Sequence, residues 1–199
     1  MNLDDKRNIN VYEALLVEHG DTYRALDWGS RESQLKRFEV LADIGITAGD
    51  RILDVGCGLA DLNAWLIKHR PGVDYSGIDL TPGMAQRAQA RFPNVTISNK
   101  TIFDLDLPAK SFDYLVASGI FVFRQESPED YLFSTIKTMY EFCAKGVSFN
   151  SLSDWSGEKS PNEFYADPLR IVNFCKKLTH KVALRHDYHP ADFAIYMYR

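Results

Sequence analysis

Clustered cysteine is missing from this chain. Cys57, Cys143 and Cys175 lie far apart and form no CxxC or Cys/His set. That speaks against disulfides and structural zinc, and for a reducing cytoplasm. Positive charge is in deficit: 23 Lys and Arg against 27 Asp and Glu leave a net charge of −4. No basic field therefore exists to hold a nucleic-acid backbone. No run approaches the ~18 apolar residues of a membrane span. The opening MNLDDKRNINVYEALL has no basic stretch followed by an apolar core, so no secretory signal is expected. Repeats and low-complexity tracts are absent, no GxxxxGK[ST] phosphate loop occurs, and no His/Asp/Glu set has metal-ligand spacing. What is left is a cytoplasmic protein with no nucleic-acid or membrane partner and no metal, a monomer or homodimer. Its 199 residues suit one domain, with a helical cap over 1–45 and a core over 50–199.

What is present starts with a helical pattern over Ser30–Ile44, where Leu35, Phe38, Leu41 and Ile44 recur at helical spacing between an N-cap serine and Gly45. Residues 11–29 carry a weaker helical pattern followed by the irregular DTYRALDWG. From Asp50 strand and helix alternate. Strands are expected at Arg51–Val55, Asp74–Asp79, Val95–Ser98, Tyr114–Ser118 and Val147–Ser151. Helices are expected at Ala60–His69, Met84–Phe92, Pro128–Ala144 and Asp167–Leu178. Such alternation implies right-handed crossovers and a parallel sheet. The ending KVALRHDY–HPA–DFAIYMYR reads as a hairpin that adds one antiparallel strand.

The stretch RILDVGCGLADL, residues 51–62, is a strand running into a glycine corner. Three readings compete: a dinucleotide site, an S-adenosylmethionine site and a plain tight turn. A dinucleotide fingerprint needs a small third residue where this chain has Asp61, and a carboxylate there opposes a phosphate. S-adenosylmethionine carries a sulfonium and an ammonium and no phosphate, so acids at Asp54 and Asp61 suit it. Asp79 closes the second strand about twenty residues on, the place of a ribose-binding acid in nucleotide folds. After the third strand, Asp104 stands beside Ile102 and Phe103, in position to accept from an adenine amino group. The fourth strand leaves at Ser118-Gly119.

LDVGCG, GIDL with Met84 four residues on, IFDL and FDYLVAS together resemble the class I S-adenosylmethionine-dependent methyltransferase superfamily over residues 35–151. The resemblance implies an α/β, Rossmann-like, mostly parallel seven-stranded sheet. Helices would cover both faces, a helical lid would precede the sheet and an antiparallel hairpin would close it. It also implies that Asp54, Gly56, Cys57 and Gly58 border the methionine end of the cofactor and that Asp79 holds the ribose. Leu80 and Met84 would pack on the adenine, Ile102, Phe103 and Asp104 would border it, and Ser118 would lie under the methionine moiety.

The acceptor is a separate question. The fourth strand exits into SGIFVFRQ, which lacks the Asp/Asn-Pro-Pro-aromatic loop of enzymes acting on exocyclic amines of bases or on glutamine amides. It supplies Phe121 and Phe123 as an aromatic wall. Trp28, Arg31, Asn150 and Arg185 join them as candidate acceptor contacts, Gln34 and, less closely, Arg37 lie near the helix face of Arg31, and the cationic forks suggest a small anionic metabolite. The plainer reading makes these arginines surface ion pairs, or gives one of them to the cofactor's own carboxylate. His186 leads the candidates for a base, followed by Tyr188 and Tyr23; a carboxylate acceptor needs none. The expected activity is methyl transfer to O, N or S of a small molecule. The alternatives are RNA or protein as acceptor, or a binding module without catalysis.

Overall fold

The computed structural model describes residues 3–123 and 126–199. Strands β1 (Arg51–Val55), β2 (Asp74–Asp79), β3 (Thr96–Asn99), β4 (Phe112–Ala117) and β5 (Cys143–Leu152) run parallel, and β6 (Val182–Arg185) and β7 (Asp192–Tyr198) form a hairpin. The order across the seven-stranded sheet is β3-β2-β1-β4-β5-β7-β6, with β7 antiparallel to both neighbours. The order reverses between β1 and β4, the point where open α/β sheets bind ligands outside the carboxyl strand ends.

Both faces of the sheet are buried, as period-two side-chain alternation allows only when helices cover each side. Ile52, Tyr75, Tyr114, Val116 and Tyr196 face a layer built from α2 (Arg31–Ala42), α3 (Asp61–His69) and α4 (Pro82–Arg91). Leu53, Val55, Ile78, Leu115, Val147, Phe149 and Ile195 face α5 (Pro128–Phe142) and α6 (Pro168–Cys175). Ile52, Leu115, Leu132 and Ile136 are completely buried, each contributing on the order of 1.5–3 kcal/mol.

The chain ahead of β1 is more helical than its pattern suggests. Helix α1 runs Leu3–His19, well beyond the weak pattern from residue 11, and only Leu16 on it is fully buried. One buried position leaves little periodicity, while Asp4 and Asp5 in the first turn favour the helix dipole. The irregular DTYRALDWG contains a 3-10 turn at Tyr23–Leu26, closed by Asp27 at φ 58°. The predicted N-cap is present, since Ser33 N donates to the Ser30 side chain. This segment is fastened to α4: Gly83 N donates to Glu13 Oε1 at 2.7 Å, and Arg87 pairs with Asp21 at 2.7 Å. Among the described residues no helix is long and apolar enough to cross a membrane.

Candidate functional site

The carboxyl ends of β1, β2 and β4 open onto a cavity of about 130 Å³. Asp54, Gly56, Cys57, Gly58, Asp79, Leu80, Met84, Ile102, Phe103, Ser118, Trp28 and Phe123 all line it. The glycine corner is needed for a reason other than ligand approach. Gly56 and Gly58 have φ of 74° and 53°, and a Cβ on them would come within 2.2 Å of Ile120 Cγ2 and 2.5 Å of Leu26 Cδ2. The corner admits the chain's own covering residues.

Three acids surround this corner in different states. Asp54 is 2% exposed and accepts from the Tyr75 hydroxyl at 2.6 Å. Burial pushes its carboxyl up to about 7, with Asp79 and Asp61 adding to the rise and the Tyr75 bond opposing it. Asp79 accepts from Gly58 N and from Thr81 N, each at 2.8 Å, so it ties the corner to the start of α4. Burial raises its pKa against those two bonds. Asp61 is consumed by two cations, Arg31 at 3.0 Å and Arg91 at 3.1 Å, and by the Gln34 amide, which donates to it at 3.2 Å. Burial keeps Cys57 a thiol, so it is no nucleophile.

The donor set fits S-adenosylmethionine better than a phosphorylated ligand. The guanidiniums nearest the corner already serve Asp61, whereas the carboxylates of Asp54 and Asp79 keep unused lone pairs in the cavity wall. Ser118 Oγ is buried in that wall with no hydrogen-bond partner among the described residues, which leaves one polar atom for a ligand to satisfy.

Several expected contacts lie elsewhere. Asp104 does not line the cavity; its Oδ2 accepts from Thr101 N and Oγ1 at 2.8 and 2.7 Å, closing a capping box on its own 3-10 turn. Those bonds, led by the Thr101 hydroxyl, hold its carboxyl below the usual range. Arg31 is fastened to Asp61 and Gln34 and lines neither this cavity nor the second, smaller one. Arg185 is likewise taken, by Asp187 at 2.7 Å and Asp43 at 4.0 Å. His186 stacks on Trp155 with centroids 4.9 Å apart and shares a 2.8 Å hydrogen bond with Ser153 Oγ, outside both cavities. Tyr188 donates to the buried Asp192, and burial with that carboxylate holds the phenol protonated. Tyr23 carries the Arg24 guanidinium over its ring and lines neither cavity. The three base candidates are thus not brought to the site, and neither are two of the proposed cationic forks.

Phe121 and Asn150 line a second cavity of about 60 Å³ that shares Tyr12, Leu26, Trp28 and Gly119 with the first. Asn150 Oδ1 accepts from Gly119 N at 2.9 Å while its Nδ2 donates to Asp192. Tyr12, Asn8, Lys100 and Tyr131 also stand in the wall of the first cavity, and no glycine corner or acid at a strand end marks them in the sequence. The one available signal was Tyr12 standing four residues before Leu16, on one face of α1.

A family model described as "Methyltransferase domain" matches residues 52–146. "Putative methyltransferase Rv1506c" of Mycobacterium tuberculosis is 33% identical over 151 residues, covering 72% of this chain and 90% of that protein. A demethylmenaquinone methyltransferase of Tropheryma whipplei is 40% identical over 76 residues, 37% of this chain and 30% of that enzyme. Among solved structures, an S-adenosylmethionine-dependent methyltransferase from Archaeoglobus fulgidus superposes with a TM-score of 0.68 at 16% identity, over 86% of this chain and 95% of that one.

Proposed function

The chain belongs to the S-adenosylmethionine-dependent methyltransferases, and we propose that its acceptor is a small molecule held in the second cavity. The observation that carries this reading is the size and cover of that space. It measures about 60 Å³, adjoins the cofactor cavity, and takes Leu26 and Trp28 from the segment ahead of the sheet as part of its wall. A folded macromolecule would have to displace that segment, which is tied down through Asp61, Gly83 and Arg87. Net charge −4 also disfavours RNA. The relative from Tropheryma whipplei is named for a small quinone and agrees with the class, though it matches too little of either chain to name the acceptor. Three buried free cysteines support work in a reducing compartment, the cytoplasm.

In this reading Asp54 faces the cationic end of the cofactor, Asp79 accepts from ribose hydroxyls, and Ser118 satisfies its hydroxyl on the methionine moiety. Leu80, Met84, Ile102 and Phe103 pack on the adenine. When bound, S-adenosylmethionine supplies an electrophilic methyl group on a sulfonium. The chain's own contribution is alignment and dryness, the terms that dominate an in-line displacement. Trp28 fills the space beside Gly119, where a Cβ would come within 2.9 Å of the indole, and so keeps water from the junction of the two cavities.

The test is transfer of a labelled methyl group into a cell extract divided by size. Label in the filtrate of small molecules is expected. Label that precipitates with protein or RNA, with none in the filtrate, overturns the small-molecule reading.

A further inference from the structure

The charges around the second cavity point to one kind of acceptor. Its only guanidinium among the described lining residues, Arg37, is 4% exposed, donates from Nε to Asp192 Oδ2 at 3.1 Å and from Nη1 to Ser33 O at 3.1 Å, and lies 5.0 Å from the Trp28 ring centroid. Asp192 balances it. Two further carboxylates line the same space, Asp27 at the exposed rim and the half-buried Glu163. Asp27 has no hydrogen-bond or ion-pair partner at its carboxylate among the described residues, and Glu163 has only the neutral Tyr165 hydroxyl. Among the described residues, three lining carboxylates face one lining guanidinium, an excess of two negative charges.

Apart from Asn150 and Ser151, the remaining side chains are aromatic and aliphatic, among them Trp28, Phe121, Leu26 and Leu152. Acids set beside aromatic faces are a means by which proteins hold ammonium groups, whereas an entering carboxylate or phosphate meets the excess negative charge of this wall. At the junction of the two cavities stands Tyr12, packed edge-to-face on Phe123 at 5.3 Å, its hydroxyl without a partner among the described residues. A neutral phenol there can donate to, or accept from, the group that crosses from one cavity to the other.

We propose that the second cavity binds an amine, so that the acceptor is a small molecule presenting an amino nitrogen, held by Asp27 and Glu163 against the Trp28 and Phe121 faces. This rests on the methyltransferase reading above and replaces the anionic acceptor suggested by the arginines in the sequence, each of which is committed to a carboxylate of the chain itself.

The test uses the whole chain saturated with S-adenosylhomocysteine, and a matched pair of probes, butylammonium and butyrate, titrated at constant ionic strength. At about five times its dissociation constant, butylammonium is expected to raise the melting temperature of the complex by about 2–4 °C, and butyrate to leave it unchanged. In the Asp27→Asn/Glu163→Gln variant the butylammonium shift is expected to vanish while calorimetric affinity for S-adenosylhomocysteine stays within about twofold. Each single substitution is expected to remove part of the shift. An equal or larger shift from butyrate, no shift from either probe, or a shift that survives in the double variant overturns the proposal. A chain that takes up no S-adenosylhomocysteine overturns the cofactor assignment first, and this inference falls with it.

Discussion

Asp54→Asn separates what the cofactor corner needs for folding from what it needs for binding. In the folded chain this carboxyl titrates near 7, against 3.8 for an ordinary aspartate, chiefly because it is buried. Between those two values the folded chain keeps a proton that the unfolded chain has released. Stability must therefore fall as pH rises through that window, by as much as about 1.4 kcal/mol per pH unit. Asparagine has the same shape, never ionises, and its Oδ1 can still accept from Tyr75, 2.6 Å from the present carboxylate oxygen. Other titrating groups are shared by both proteins and cancel in the comparison. The variant should thus gain on the wild type by about 2.5 kcal/mol between pH 5 and pH 8. For a chain of this length that widens the difference in melting temperature by about 5–10 °C. Affinity for S-adenosylmethionine should move the other way. A cation beside Asp54 favours the ionised form, so wild-type affinity should climb from pH 5 toward 7 with release of a proton, and the variant should bind more weakly with a flat profile. Melting curves and calorimetry at three pH values measure both. A melting difference constant to within about 2 °C across that range would refute the reasoning, because burial would then not be holding the proton.

Two further substitutions probe the same walls. Ser118→Ala removes a hydroxyl that has no hydrogen-bond partner among the described residues, so stability should change by less than about 0.5 kcal/mol. Affinity for S-adenosylmethionine should still fall about fivefold, the loss of one hydrogen bond, and unchanged affinity by calorimetry would remove Ser118 from the cofactor contacts. Arg37→Ala strands Asp192, 1% exposed, with only the neutral Asn150 and Tyr188 as donors. Urea unfolding should report a loss of about 3–5 kcal/mol, and a loss under about 1 kcal/mol would show that the pair is not a buried ion pair in solution.

The legible and illegible parts of this molecule divide by how far apart in sequence the deciding partners lie. Strands β1, β2 and β4 announce themselves because an apolar run between a charged start and a Gly, Asp or Ser exit has one good solution, a parallel strand buried on both faces. The cavity lining at Asp54, Asp79, Ile102 and Ser118 follows from that alone, since each stands at or just beyond a strand end. Helix α1 was half-hidden because a helix that buries one residue has almost no period to read. The arginines failed for another reason. Nothing local says that Arg31 will meet Asp61 or that Arg37 will meet Asp192, which is 155 residues away, so their charges look free in the sequence and are balanced in the fold. Asp104 is the reverse case. Thr101-x-x-Asp104 is a capping-box pattern within four residues, and that local partner occupies the carboxylate oxygen Oδ2. The charge balance of the second cavity is legible only in the fold: with Arg31, Arg37 and Arg185 each matched to a carboxylate, Asp27 and Glu163 stand out as lining acids without a cationic partner among the described residues.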